Sequence, residues 1–279
     1  MLNIDSHHHV WELGVAPYAW LNGEAWQAVR RNFVYDDVRD DLLACGIQNS
    51  ILVQADNTKA DSDYVKKAAA NEDMVLGFVG WVSLTDAEKI DAALDDLAEG
   101  GKLVGIRHLL AREADDDWIL RPDVLSGLRT LERRQLAFDL NCDRPAYLAH
   151  VPQLAEHLPD LRLVVNHAGK PPIGSKGWEP WATNIARAAQ CPNVYIKISG
   201  LTTPYREGWS GEDFRPYVEY VIEQFGPQRM LYASNWPVTL VAGSYKQQWD
   251  ATRLALNSLY DDDLDWVFGG TALQCYRLD

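Results

Sequence analysis

The sequence lacks the features that mark several large classes of protein. No uncharged apolar run approaches the ~18 residues needed to span a bilayer, and no basic segment followed by an apolar stretch opens the chain. The four cysteines are widely scattered and include no CxxC pair, unlike the short-spaced frameworks of small secreted domains. We therefore expect a cytoplasmic protein whose cysteines are buried free thiols.

Positive charge is also scarce. The 26 Lys and Arg residues are outnumbered by 40 Asp and Glu residues, which gives a formal net charge of −14. Nucleic acid and anionic membrane surfaces would both be repelled at long range by such a protein. We expect a small-molecule partner, no nucleic acid and no membrane, and the sequence leaves homo-oligomer formation open.

Eight apolar runs of strand length alternate with helical patterns. The predicted strands are Leu2–His9, Ser50–Ala55, Val75–Val82, Val104–Leu110, Ala137–Cys142, Arg162–His167, Val194–Ser199 and Met230–Ser234. The predicted helices are Tyr35–Cys45, Asp61–Asn71, Asp86–Glu99, Pro122–Arg134, Pro145–Leu158, Trp178–Ala189, Asp213–Phe225 and Gln247–Leu259.

This alternation is typical of parallel βαβ units. It predicts the α/β class, and specifically a (β/α)8 TIM barrel that forms a single domain over residues 1–279, with residues 261–279 capping the barrel. The number of strands alone does not exclude an open sheet.

The first predicted strand ends in three consecutive histidines. Catalytic residues of TIM barrels gather at the carboxyl ends of the strands, and on an extended strand His7 and His9 project to one side while His8 projects to the other. Two neutral imidazoles can bind a metal ion, which lowers the pKa of its bound water from ~15.7 to ~7. The alternatives are two structural histidines at a barrel mouth, or the remnant of an affinity tag.

Other polar residues follow later strands. His167 after strand six is a candidate ligand or proton-transfer group. Arg107 could clamp a carboxylate or polarise a carbonyl group, or instead form an interior salt bridge with a barrel acid such as Asp139. His108 adjoins Arg107, and we expect both to contribute even though strand alternation points only one of them inward. Lys170 in a Gly-Lys-Pro-Pro turn is a candidate for binding a polar or anionic substrate group.

Further candidates for substrate contact are Gln54 after strand two and the aromatic residues near strand ends. Of these, Trp81 and Trp236 are predicted to contact substrate. For each aromatic residue taken singly, core packing is the favoured interpretation. The aromatic residues that could form stacking walls for a sugar-like ring are Trp11, Trp20, Trp81, Tyr205 and Trp236.

Several motifs resemble those of a known family. The string Ile-Asp-Ser-His-His-His-Val-Trp at 4–11 resembles the first-strand signature of the amidohydrolase superfamily, and the rest of the chain is similar to its amidohydrolase-related (amidohydrolase 2) family. The further matching strings are Val-Gln-Ala at 53–55, Gly-Phe-Val-Gly-Trp-Val at 77–82, Gly-Ile-Arg-His at 105–108, Asn-His-Ala-Gly-Lys-Pro at 166–171 and Ser-Asn-Trp-Pro-Val at 234–238.

The resemblance is to the sugar-lactone hydrolase branch, which includes hydrolases of L-fuconolactone, L-rhamnonolactone and carboxylated ring lactones. It implies a TIM-barrel hydrolase in which water attacks a lactone carbonyl group. It also implies that His7, His9 and His167 line the site, with Arg107 and Lys170 nearby. Metal use in this family is mixed, so the resemblance implies either one divalent cation on the three histidines, with zinc ahead of manganese or iron, or no metal.

The sequence departs from the family pattern at Asn235, where the motif carries an aspartate that serves as metal ligand and general base. An amide cannot take a proton from water. Three interpretations remain: a natural subgroup with another base, a deliberately inactivated variant, or a binding protein that has lost hydrolysis. The candidate bases are His167, Asp56 and a metal-bound hydroxide. Nonoxidative decarboxylation and lactone isomerisation are the alternative reactions of related barrels.

Overall fold

Eight parallel strands form one sheet in the computed structural model, which describes residues 2–175, 177–203 and 208–278. Each strand pairs with the next one along the chain, an order that a doubly wound open sheet does not have. The predicted TIM barrel and its eight predicted strands are therefore confirmed. The strands are β1 (Ile4–His8), β2 (Asn49–Val53), β3 (Val75–Gly80), β4 (Leu103–His108), β5 (Ala137–Leu140), β6 (Leu163–Val165), β7 (Val194–Ile198) and β8 (Met230–Tyr232).

The barrel closes where β1 meets the segment that follows β8. The Asn235 amide donates a hydrogen bond to the His7 carbonyl oxygen at 2.8 Å, and the His9 amide donates to the Trp236 carbonyl oxygen at 2.7 Å. The Ser6 hydroxyl donates to the Tyr232 carbonyl oxygen at 2.7 Å. This seam holds Asn235 beside the two histidines of the first strand.

A helix follows each strand, and two short helices end the described chain. Pro122 and Pro145 open their helices at the first turn, where the missing amide hydrogen has no helical partner. Ser210 and Ser244 cap the two helices that follow them. The helices are α1 (Asp36–Ala44), α2 (Lys59–Ala70), α3 (Ile90–Ala98), α4 (Pro122–Arg133), α5 (Pro145–His157), α6 (Trp181–Ala189), α7 (Gly211–Phe225), α8 (Tyr245–Ala255), α9 (Asp261–Asp265) and α10 (Thr271–Tyr276).

Helix α10 packs against the interior of the barrel. Its residues Ala272, Cys275 and Tyr276 are buried in one apolar cluster with inward-facing strand residues such as Ile4 and Val104. The predicted capping role of the segment after the eighth helix is thereby confirmed. A second, larger apolar cluster fills the layer between the helices and the outer face of the sheet.

Two features that the sequence is expected to lack, a membrane-spanning helix and disulfide bonds, are also not found in the described part of the chain. None of its helices combines the length and the apolar character that crossing a membrane requires. All four cysteines are free thiols. Three of them are buried as expected, whereas Cys191 is partly exposed.

Gly127 lies inside α4, where the helix crosses the backbone of Leu84. A β-carbon at Gly127 would lie 2.1 Å from the Leu84 carbonyl oxygen, an atom that cannot move aside independently of its backbone. Alanine has the higher helix propensity by ~0.8–1.0 kcal/mol, but overpacking typically costs ~1–3 kcal/mol. Because the higher helix propensity offsets part of that cost, we expect Gly127→Ala to lower the free energy of unfolding by up to ~2 kcal/mol, as measured by urea denaturation.

A matched control is Gly23→Ala, because a β-carbon there would meet no atom closer than 3.4 Å. We expect that variant to stay within about 0.5 kcal/mol of the parent protein. A more stable Gly127→Ala variant would contradict the close contact between α4 and Leu84.

Candidate active site

A cavity of about 320 Å³ opens at the carboxyl ends of the strands. This volume lies near the lower end of the range for small-molecule sites, ~300–1,000 Å³. Five residues predicted for the site line it, namely His9, Arg107, His167, Lys170 and Asn235. The other lining side chains include Trp20, Trp26, Leu109, Arg112, Asn141, Asp143 and Val238.

The structure brings the three predicted histidines together. The ring centroids of His7 and His9 are 4.8 Å apart, and those of His7 and His167 are 4.9 Å apart. The Nε2 atoms of His7 and His9 lie 3.2 Å from each other. His7 is fully buried beneath the cavity, whereas His9 and His167 reach its wall.

Each histidine on the wall is fixed by a hydrogen bond at Nδ1. His9 Nδ1 lies 2.7 Å from the Val53 carbonyl oxygen, and His167 Nδ1 lies 2.8 Å from the Ser199 hydroxyl. Burial, and then the nearby cations, lowers the pKa of His7, His9 and His167 well below the usual value. All three imidazoles are therefore neutral at pH 7.

The backbone that carries His167 has an uncommon conformation. His167, Ala168, Gly169 and Lys170 all have φ between 49° and 67°, and left-handed non-glycine residues cost ~1–3 kcal/mol each. Gly200 packs against the His167 ring so closely that a β-carbon there would lie 2.9 Å from Nδ1. Such strain is found where the surrounding structure holds a functional side chain in place.

Arg107 is the central cation of the site. It is 3% exposed, and its Nη2 donates to the Gln54 carbonyl oxygen while Nη1 lies 3.3 Å from His7 Nε2. Burial lowers its pKa to about 10, so the guanidinium stays charged at neutral pH. The alternative salt bridge with Asp139 does not form, because Asp139 pairs with Lys197 at 2.6 Å. The Arg107 charge is thus left to act on a ligand.

Two further cations at the cavity are each paired with an acid. Arg112 Nη1 contacts the carboxylate of the fully buried Asp56, and Lys170 Nζ lies 3.2 Å from Asp143 Oδ1. Arg112 and Trp26 were not predicted for the site. Both lie in short 3-10 helices of the connections that follow β1 and β4, beyond the strand ends, where the strand pattern gives no signal.

Gln54 and His108, two of the residues predicted for substrate binding, lie behind the cavity wall. His108 stacks on Trp118 with ring centroids 4.2 Å apart, and its Nε2 lies 2.7 Å from Glu113 Oε1. Gln54 Nε2 donates to the Arg107 carbonyl oxygen at 3.1 Å. β4 stays extended through His108 and points it away from the cavity that Arg107 lines, so the expected contribution of both residues stays a prediction.

Of the aromatic residues considered for substrate contact, some lie behind the cavity wall and one lines the cavity. Trp81 donates from Nε1 to His108 Nδ1 at 3.1 Å, and Trp236 packs edge-on against Phe33 at 5.3 Å, so both support the wall from outside. Trp11 is fully buried, whereas Trp20 lines the cavity. Tyr205 lies outside the described residues.

The donor atoms at the cavity provide only part of the predicted metal site. The 3.2 Å between His7 Nε2 and His9 Nε2 suits two ligands of one ion with Zn–N distances of ~2.0–2.1 Å. Within residues 2–175, 177–203 and 208–278, however, no group of three His, Cys, Asp or Glu side chains converges on one point. Asn235 places its amide oxygen 3.3 Å from His9 Nε2, where a carboxylate would complete the set. The described residues therefore do not form a three-ligand metal centre.

Comparison with known proteins agrees with this architecture. The profile of the family described as amidohydrolase matches residues 4–278. The chain is 34% identical over 282 residues to an L-fucono-1,5-lactonase of Burkholderia ambifaria, covering 99% of this chain and 96% of the relative. It is 28% identical to an L-fucono-1,5-lactonase of Burkholderia multivorans over 99% of this chain and 96% of that protein. A crystal structure of a Burkholderia multivorans amidohydrolase with bound zinc superposes with a TM-score of 0.92 at 28% identity, covering 100% of both chains.

Proposed function

Because this chain belongs to the amidohydrolase family, we propose that it hydrolyses the lactone of a sugar acid. The full-length similarity to two L-fucono-1,5-lactonases supports this choice of reaction. The observation that carries it is the buried Arg107, a cation that no carboxylate of the described residues pairs with and that points toward neutral histidines at the cavity. A cation in that position stabilises the negative charge that develops on a carbonyl oxygen under attack.

The charges of the cavity favour a neutral, hydroxyl-rich lactone over a dicarboxylate. Arg112 and Lys170 are already neutralised by Asp56 and Asp143. A hydroxyl group both donates to a carboxylate and accepts from a cation, so it fits beside such a pair, whereas a carboxylate would be repelled by the acid. Trp20 and Trp26 add apolar surface against which a sugar ring can pack.

The reaction begins with water attack on the lactone carbonyl carbon. Arg107 stabilises the resulting oxyanion, the bond between the carbonyl carbon and the ring oxygen breaks as the ring oxygen receives the proton taken from water, and a hydroxy acid is released. His167 removes the proton from water, because it is neutral and Ser199 holds its ring at the cavity wall. Asp56 is excluded as base since it is fully buried and bound to Arg112 and to the Tyr18 amide.

A divalent cation at His7, His9 and His167, with zinc ahead of manganese or iron, stays a prediction. The zinc in the Burkholderia multivorans structure supports this prediction. Among the described residues, however, no group of three His, Cys, Asp or Glu side chains could hold a metal ion. No step of the proposed reaction is therefore assigned to a metal. Elemental analysis of the purified protein, before and after dialysis against a chelator, checks the prediction directly.

The test of function is a pH-indicator assay on purified protein. We expect acid release from L-fucono-1,5-lactone and related sugar lactones well above the spontaneous rate, and little from a carboxylated lactone such as 2-pyrone-4,6-dicarboxylate. Release of CO₂, or conversion of the lactone without net acid, would replace hydrolysis by decarboxylation or isomerisation. Binding of sugar lactones without turnover would identify a binding protein.

The role of Asn235 is tested by restoring the carboxylate. If His167 is the base, Asn235→Asp changes kcat by less than about ten-fold, whereas His167→Asn lowers it by the ~10²–10⁴ that general-base catalysis provides. Both variants are compared by kcat on the same lactone. A rise of ~10² or more in Asn235→Asp would show that the parent protein lacks its base.

A further inference from the structure

A line of buried polar side chains runs from the floor of the active site toward the opposite end of the barrel. Lys197 Nζ donates to Asp139 Oδ2 at 2.6 Å, and the Tyr276 hydroxyl on α10 donates to Asp139 Oδ1 at 2.7 Å. The side chains of Lys197 and Asp139 are both 0% exposed. We call Tyr276, Asp139 and Lys197 the buried triad. It meets the active site at His7, whose Nδ1 lies 3.3 Å from Lys197 Nζ.

The triad restricts where His7 carries its proton. An ammonium group has three donors and no acceptor, so the His7 nitrogen that faces Lys197 must accept. A neutral imidazole donates from one nitrogen and accepts at the other. Because Nδ1 accepts from Lys197, the hydrogen of neutral His7 lies on Nε2.

The opposite side of the cluster assigns the same proton independently. The Val53 carbonyl oxygen can only accept, so His9 carries its hydrogen on Nδ1 and its Nε2 is an acceptor. That acceptor lies 3.2 Å from His7 Nε2. A hydrogen on His7 Nε2 gives this contact one donor and one acceptor.

The other tautomer of His7 would create two unfavourable contacts. A hydrogen on Nδ1 would point at the Lys197 ammonium, and the two Nε2 lone pairs of His7 and His9 would face each other. Its gain would be a hydrogen bond accepted from Arg107 Nη1 at 3.3 Å, a contact that the tautomer with hydrogen on Nε2 turns into two facing donors. Two unfavourable contacts against one favour the tautomer with hydrogen on Nε2.

We propose that Lys197, held by Asp139 and Tyr276, is a positioning residue that fixes His7 with its proton on Nε2, so that His7 is a hydrogen-bond donor and not a metal ligand. A metal ion needs the Nε2 lone pair, and a metal-bound histidine normally donates its other N–H to an acceptor. At His7, the other ring nitrogen Nδ1 instead accepts a hydrogen bond from the Lys197 ammonium group. The Nε2–H of His7 then donates to His9 beneath the cavity and leaves Arg107, which lines the cavity, as the donor for the lactone carbonyl group, a role of Arg107 that rests on the proposed function.

The first experiment reads the tautomer without any assay of activity. Metal-free protein labelled with ¹⁵N-histidine is examined at pH 7 by long-range ¹H–¹⁵N correlation, with the His7 signals assigned by their loss in His7→Gln. We expect an unprotonated Nδ1 and a protonated Nε2 for His7. A proton on Nδ1 would overturn the proposal, whether or not the protein hydrolyses lactones.

The second experiment removes both charges of the triad together, because removing one leaves the other buried and unpaired. In Lys197→Met/Asp139→Leu we expect a populated Nδ1–H tautomer, a zinc affinity raised ~10–100-fold, as for other partners of metal-bound histidines, and a kcat that falls more than KM changes. Zinc affinity is measured by competition with a chromophoric chelator. Unchanged tautomer and zinc affinity in this variant would overturn the proposal.

The matched control is Lys170→Met/Asp143→Leu, which removes the other Lys–Asp pair near the site. We expect it to leave the His7 tautomer and the zinc affinity unchanged, and an equal rise in zinc affinity there would contradict a specific role for Lys197. If Lys197→Met/Asp139→Leu does not fold, the His7 tautomer measured in the parent protein still tests the proposal. Absence of lactone turnover together with the expected tautomer would remove the proposed function while leaving the tautomer assignment intact.

Discussion

Arg107→Ala is expected to lower kcat on a good sugar lactone by ~10²–10³, equivalent to ~2.7–4 kcal/mol of barrier. The guanidinium is buried at the cavity with one firm hydrogen bond, to the Gln54 carbonyl oxygen, and its charge is free to stabilise an oxyanion. Because that charge acts on the transition state and not on the substrate, KM should change much less than kcat. Initial rates across lactone concentrations separate the two parameters.

The matched comparison is Arg112→Ala at the same cavity. Arg112 is paired with Asp56 and is one-third exposed, so its removal should act mainly on KM. Circular dichroism and thermal melting establish that both variants are folded. Unimpaired turnover in Arg107→Ala would end the assignment of this residue to catalysis.

Asp139→Asn is expected to destabilise the protein by ~3–5 kcal/mol, the usual cost of removing one partner of a buried ion pair. Lys197 would then be a fully buried amine without its counter-ion, and the folded protein would have to hold it without its proton. Even in the parent protein burial lowers the pKa of Lys197, with Asp139 opposing that shift. Urea denaturation gives the free energy of unfolding. Asp143→Asn is the control, since the partly exposed Lys170–Asp143 pair should contribute at most ~1 kcal/mol.

The cost of Asp139→Asn should also depend on pH in a defined direction. Without Asp139, the folded protein holds Lys197 neutral, while the unfolded chain protonates it below its ordinary pKa of ~10.4. The unfolded state then binds one more proton, so stability rises with pH by up to ~1.4 kcal/mol per unit below that pKa. A penalty that is constant between pH 7 and pH 9 would show that Lys197 stays charged in the variant.

Much of the site follows from the geometry of parallel strands. The two-residue period of a strand is enough to place His7 and His9 on one side, and their ring centroids lie 4.8 Å apart. His167 joins them because the carboxyl ends of all barrel strands meet at one face. The same period places Arg107 at the cavity and points His108 away from it, as strand alternation predicts.

The connections across the barrel interior could not be predicted in this way. Lys197 and Asp139 are 58 residues apart in sequence, and Tyr276 lies 137 residues from Asp139. Which acid faces which base depends on the tilt and stagger of the strands, which the sequence pattern does not specify. The contributions of Arg112 and Trp26 depend on loop conformation for the same reason.

The contact between Tyr276 and Asp139 joins the two ends of the molecule. Helix α10 sits where the strands begin, yet its phenol is two hydrogen-bonded groups away from the imidazole of His7. A change that loosens this helix, such as a cleavage in the segment before it, would therefore be transmitted through the barrel axis to the reacting groups. Helix α10, which covers the end of the barrel where the strands begin, therefore helps to position the groups of the active site.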